Sequence, residues 1–69
     1  MAIWQLYIPL IVNNRKLQLA QNSTDPDNTD VQLLDQNDNV LATLVLTGTE
    51  LNDLGQMVGE ALKIKELAQ

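Results

Sequence analysis

The chain has 69 residues, no cysteine, no histidine and a formal net charge of −5. This length predicts a single domain over residues 1–69, and without cysteine neither a disulfide nor a thiolate metal site can support a small core. Nine acidic residues against four lysine and arginine residues disfavour direct binding to nucleic acid or to an anionic membrane.

The first two strands are predicted from alternating apolar residues. Residues 3–12 would present an entirely apolar face, made of Trp4, Leu6, Ile8, Leu10 and Val12. Pro9 has no amide to donate, so we expect this strand at a sheet edge or at a bend. Asn13-Asn14 would form a two-residue hairpin turn, because asparagine tolerates positive φ, and Arg15–Ala20 would return as the second strand.

The middle of the chain predicts a loop and a second hairpin. Residues 21–29 are polar throughout and rich in turn formers, so we expect a flexible loop there. Asp30–Asp35 alternates as a strand, and Gln36–Asn39 is a turn of residues that adopt the left-handed conformation at low cost. Val40–Leu46 is the most apolar run of the chain and predicts the return strand, which would need cover on both faces.

A helix is predicted from Gly48 to Leu67. Thr47 and Glu50 have the spacing of a capping box, in which each side chain bonds the backbone amide of the other residue. An apolar stripe follows at helical spacing, made of Leu51, Leu54, Val58, Ala61 and Leu62. Gly55 and Gly59 lie four residues apart, which suits either a helix–helix contact between protomers or a close approach to the helix's own sheet.

These elements predict an α+β fold of the order ββββα. Two hairpins would form a four-stranded antiparallel sheet, and the C-terminal helix would cover one face of it. We expect Trp4 in the core between the two layers. One helix cannot cover both faces, so an apolar patch is expected on the far face, and such patches usually mark interfaces. The candidate interface residues are Tyr7, Leu34, Leu41, Val45, Gly55 and Gly59.

Catalytic chemistry is poorly supported by the residue types present. The commonest general base and the commonest soft metal ligand are missing, and the single serine, Ser23, falls in the predicted loop without a base nearby. Asp25, Asp27 and Asp30 are close in sequence, but a solvated loop provides no burial to shift a carboxyl pKa. We therefore expect no enzyme activity and no cofactor.

Two loops could bind a hard cation. Asp25, Asp27 and Asp30 in one loop, and Asp35, Asn37 and Asn39 in the other, place oxygen ligands at alternating positions, as calcium loops do. Neither loop has the glycine and the final glutamate of an EF-hand, and turn chemistry explains the same residues without a metal. Calcium or small-ligand binding therefore stays an alternative.

The sequence favours a small interaction module that forms a homodimer and binds another protein. A second alternative is an acidic inhibitor or decoy, of the kind that phages and mobile elements encode, occupying a basic site on a target. Its negative surface would consist of Asp25, Asp27, Asp30, Asp35 and Asp38. The N-terminus has neither a basic region nor a cleavage pattern typical of secretion, so we expect a cytoplasmic protein.

Overall fold

The computed structural model describes residues 4–68 and has four strands followed by one helix. The elements are β1 (Gln5–Leu10), β2 (Arg15–Gln21), β3 (Thr29–Leu34), β4 (Val40–Leu46) and α1 (Gly48–Leu67). The predicted ββββα order is confirmed, and β4 and α1 have the predicted bounds. Ile3, which the alternation pattern includes in the first strand, lies outside the described residues.

The strands form one antiparallel sheet in the order β1-β2-β3-β4. Each strand pairs with its neighbour in sequence, so β1 and β4 are the two edges. Tyr7, Gln18, Gln32 and Thr43 form one row across the sheet, and Leu6, Leu19, Val31 and Leu44 form the next. Because side chains alternate between faces along a strand, these two rows lie on opposite faces.

The first hairpin turn differs from the prediction. Leu10 pairs with Arg15, so the turn has four residues and Val12 lies in it rather than in β1. Asn14 has a φ of 56°, and its amide donates to the Ile11 carbonyl at 3.3 Å. A two-residue primed turn would need positive φ at Asn13, which the structure does not have. Ile11 and Val12 are consequently exposed at the hairpin tip.

The β3–β4 turn uses the left-handed conformation, as predicted. Asp38 has a φ of 67°. The Asp35 carboxylate holds the turn by accepting hydrogen bonds from the amides of Asn37 and Asn39, at 2.8 and 2.9 Å. Just beyond the turn the register shifts, since Leu34 pairs with Val40 whereas Leu33 pairs with Ala42. Leu41 is therefore the extra residue of a β-bulge.

The helix begins with the predicted capping box. The Glu50 amide donates to the Thr47 hydroxyl at 3.2 Å, and the Thr47 amide donates to the Glu50 carboxylate at 2.9 Å. Two of the amides that a helix start leaves unpaired are satisfied in this way. The position where α1 begins is thus fixed by local chemistry.

The helix approaches β4 most closely and leaves most of the sheet open. No residue of α1 is buried. Among residues 4–68, the buried apolar side chains are Ala20 and Leu34, which are 8% and 5% exposed. Trp4, which we expected in the core, is exposed, because α1 does not close the layer above it.

The dimensions agree with an open arrangement. The Cα radius of gyration is 13.8 Å, whereas a compact domain of this length would have about 11 Å. The chain exposes 5561 Å², against about 4,300 Å² for a compact monomer of this mass. The molecule therefore carries an excess of about 1,200 Å² of accessible surface.

Candidate protein-interaction surface

The face of the sheet that α1 approaches is apolar and largely uncovered. We call this the apolar face; it comprises Leu6, Ile8, Leu17, Leu19, Val31, Leu33 and Leu44. Leu6, Ile8 and Leu44 are each more than half exposed, and Leu44 is 65% exposed. Isolated exposed leucines are common in proteins, but a contiguous apolar face of this extent is typical of an interaction site.

A groove separates the apolar face from the helix. Leu51, Leu54 and Val58 line it on the helix side, and five apolar side chains of β1, β2 and β3 line it on the sheet side. Its volume is about 610 Å³. Well-packed interiors hold few voids larger than a water molecule, so the two layers do not form a finished core.

The two helix glycines have no close neighbour within the chain. A Cβ atom added at Gly55 or at Gly59 would meet nothing within 4 Å outside the local helix. The sequence left open whether these residues let α1 lie close to its own sheet, and the structure shows no such approach. Each glycine costs the helix about 1 kcal/mol relative to alanine, and contacts within the chain do not explain that cost.

Strand β4 is an edge of the sheet and carries a bulge at Leu41 near its start. All of its residues except Leu46 are exposed, and its sequence contains neither a charged residue nor a proline. The other edge strand, β1, contains Pro9, whose missing amide interrupts any further pairing. Natural sheets usually protect an edge with charge, proline or cover, so β4 is the more open of the two edges.

The opposite face, which we call the polar face, carries hydrogen-bonded side chains at its centre. The Gln18 side-chain amide donates to the Gln32 side chain at 2.8 Å. At one end Lys16 forms an ion pair with Asp38, and its ammonium lies 5.6 Å from the centre of the Tyr7 ring. The hydrogen bond to Asp38 raises the pKa of Lys16 above its ordinary value.

The polar face also holds several of the predicted interface residues. Tyr7 and Val45 are exposed there, and Leu41 is exposed at the bulge. Leu34, between Lys16 and Val40, is buried and offers little area for a contact. Because polar pairs separate these residues, the larger continuous apolar surface is on the helix side of the sheet rather than on the far side.

The five aspartates of the predicted acidic surface are divided between the two ends of β3. Asp25, Asp27 and Asp30 lie at its start, whereas Asp35 and Asp38 follow its end. Four strand residues, 31–34, separate Asp30 from Asp35, a span of about 17 Å, so the fold does not collect the five aspartates into one patch.

Several of these carboxylates are engaged within the chain. The Asp25 side chain accepts from the Asp27 amide at 3.0 Å, and the Asp30 side chain accepts from the Asn22 side chain at 2.8 Å. The backbone amide of Asn39, followed by its side-chain amide, lowers the pKa of Asp35 below its ordinary value. These contacts explain the aspartates as turn and loop structure.

Residues 4–68 contain no group of three or more acidic, histidine or cysteine side chains arranged to hold a metal ion. The calcium alternative therefore gains no support from the geometry. Over the same residues, no helix is both long enough and apolar enough to cross a membrane.

Comparison of the chain with protein families, with curated proteins and with solved structures found no match. Function is therefore inferred from the surface of the molecule itself. The residue pattern predicted α1 as the cover of one sheet face, whereas in the structure the apolar face is largely open. The number of large apolar residues on that face was the sequence signal for its exposure, because one narrow helical stripe cannot cover so many.

Proposed function

We propose that this chain is a small, non-enzymatic protein–protein interaction module that associates as a homodimer. The observation that carries the proposal is the excess accessible surface of about 1,200 Å². A protomer of a standard protein complex buries about 800 Å². The excess is therefore sufficient to supply one side of a stable interface.

The chemistry of the exposed surface supports the same proposal. The apolar face and the helix stripe border one groove, so a partner could cover both together. Burial of apolar area is the main favourable term in most protein association. The acidic-decoy alternative requires one negative surface, and its aspartates lie at opposite ends of β3. We include a further protein partner in the proposal, because a dimer leaves the polar face available.

We also propose a cytoplasmic location. A chain without cysteine needs no oxidising compartment for its stability. This part of the proposal would be tested by fractionating the native host.

Sedimentation equilibrium tests the dimer. The wild-type chain should have twice the monomer mass of 7.7 kDa, and dilution to about 1 μM should barely reduce it if the free energy of association is about 11 kcal/mol or more, a dissociation constant of about 10 nM. A chain that stays at the monomer mass at the highest soluble concentration would refute the homodimer.

The same substitution at two valines, one beside the groove and one at the hairpin tip, tests whether the groove is the interface. Val58→Gln places an amide on the helix stripe beside the groove and should raise the dissociation constant roughly tenfold, since a buried valine contributes about 1.5 kcal/mol or more. Val12→Gln is the control, because Val12 is 97% exposed at the hairpin tip. Equal association of both variants would show that the groove is not the interface.

A further inference from the structure

The free edge of the sheet suggests how the second copy is bound. We propose that β4 pairs antiparallel with β4 of a second copy, across a two-fold axis at Thr43, to form a continuous eight-stranded sheet. This inference depends on the homodimer proposed above and specifies its contact. Its starting point is the exposure of β4, in which every residue except Leu46 is exposed and which has no neighbouring strand on its outer side.

The sequence of β4 is complementary to itself. In the proposed register Ala42 lies opposite Leu44 of the second copy, and Leu44 lies opposite its Ala42. Thr43 lies opposite Thr43. Apolar pairs and threonine pairs are both favourable across antiparallel strands, and like charges would be unfavourable. Because β4 contains no carboxylate, this pairing places no two acidic side chains directly opposite each other, although each chain has a net charge of −5.

The register also uses the regular part of the strand. The bulge at Leu41 is near one end of β4, whereas Ala42 to Leu46 continues without a register shift. A bulge can discourage pairing at an edge by twisting it locally. Centring the axis on Thr43 keeps the central pairs, Thr43 with Thr43 and Ala42 with Leu44, clear of the bulge.

The same symmetry orients the apolar faces of the two copies alike. A two-fold axis perpendicular to the sheet leaves the apolar faces of both copies on one side, so both helices lie on that side. Each helix begins two residues after β4 ends. The second copy is favoured as occupant because one contact between identical edges closes on itself and leaves no free β4 edge. Pro9 disfavours an equivalent pairing through β1.

Charged residues introduced at position 43, on the proposed two-fold axis, test this register. Thr43→Lys alone and Thr43→Glu alone place like charges opposite each other, and each should raise the dissociation constant roughly tenfold. An equimolar mixture should form a heterodimer close to wild-type affinity, because lysine then faces glutamate. The heterodimer can be measured by sedimentation with one chain labelled.

The control uses the opposite edge of the sheet. Gln5→Lys and Gln5→Glu make the same changes in net charge on an exposed residue of β1 and on the same face. These variants should associate like wild type, alone and mixed. Recovery on mixing only at position 43 supports the proposed pairing. A dimer that the position 43 charges do not weaken, or that mixing does not restore, would overturn the pairing and leave the homodimer itself standing.

Amide hydrogen exchange on the wild-type dimer provides a test without substitutions. A strand paired on one side protects alternate amides, whereas a strand paired on both sides protects them all. We expect protection at every amide from Ala42 to Val45. Alternating protection in a chain of dimeric mass would overturn the β4 pairing, and a monomeric mass would refute the homodimer as well.

Discussion

Replacing Gly59 by alanine should stabilise the protein. Gly59 lies inside α1, its φ is not positive, and an added Cβ atom would meet nothing within 4 Å outside the local helix. Most of its neighbours on the helix surface are polar, among them Gln56 and Lys63, and Met57 beside them is exposed, so the methyl group would stay on the solvent side. We expect the free energy of unfolding to rise by about 1 kcal/mol, since glycine costs the helix interior that much relative to alanine. For a domain of this size the melting temperature would rise by about 4–8 °C.

Circular dichroism at 222 nm during urea and thermal unfolding measures this change, with protein concentration held constant because the stability of an associating chain depends on it. Gln56→Gly, on the same side of the helix, is the reverse control and should lower the free energy of unfolding. Loss of stability in Gly59→Ala would refute the reasoning. It would show that a neighbouring backbone lies against Gly59 in solution, as the helix–helix interpretation of the two glycines requires.

Two further predictions concern the local contacts that fix the helix start and the β3–β4 turn. Thr47→Ala removes one bond of the capping box and should lower the free energy of unfolding by about 1 kcal/mol, measured by the same urea titration; an unchanged midpoint would contradict the role of the cap. Hydrogen bonds from the backbone and side-chain amides of Asn39 lower the pKa of Asp35 in the folded state. The ionised carboxylate therefore stabilises the fold at pH values above its ordinary pKa of 3.8, and this stabilisation is lost as the pH falls through the lower pKa of the folded state. Asp35→Asn should therefore weaken the fall in urea midpoint at acid pH, and identical pH profiles would exclude this contribution.

The elements that the sequence predicted well are those set by neighbours along the chain. The start of α1 follows from Thr47 and Glu50, which bond each other across three residues. The turn at Asp38 follows from the tolerance of aspartate and asparagine for positive φ. Both features require only local chemistry, so the residue types alone were enough to place them.

The features that the sequence did not predict depend on distances between elements. Val12 fits the alternation of β1, yet the register of β1 with β2 places it in the turn. The stripe of α1 was assigned as the cover of one sheet face, but periodicity states which residues share a face and not how closely that face is packed. Periodicity does not predict the groove lined by Leu51, Leu54 and Val58 or the open surface beside it, because both depend on the distance between α1 and the sheet.

The helix itself is the strongest reason to expect a partner. In water a helix of 20 residues is held mainly by packing of its apolar stripe, because propensity alone leaves helices of this length marginal. Here the stripe carries Val58 and Leu62 at least half exposed, and two interior glycines weaken the helix further. Contacts within one chain do not supply the packing that such a helix needs. The pairing through β4 proposed above would place the helix of a second copy on the same side of one continuous sheet as this exposed stripe.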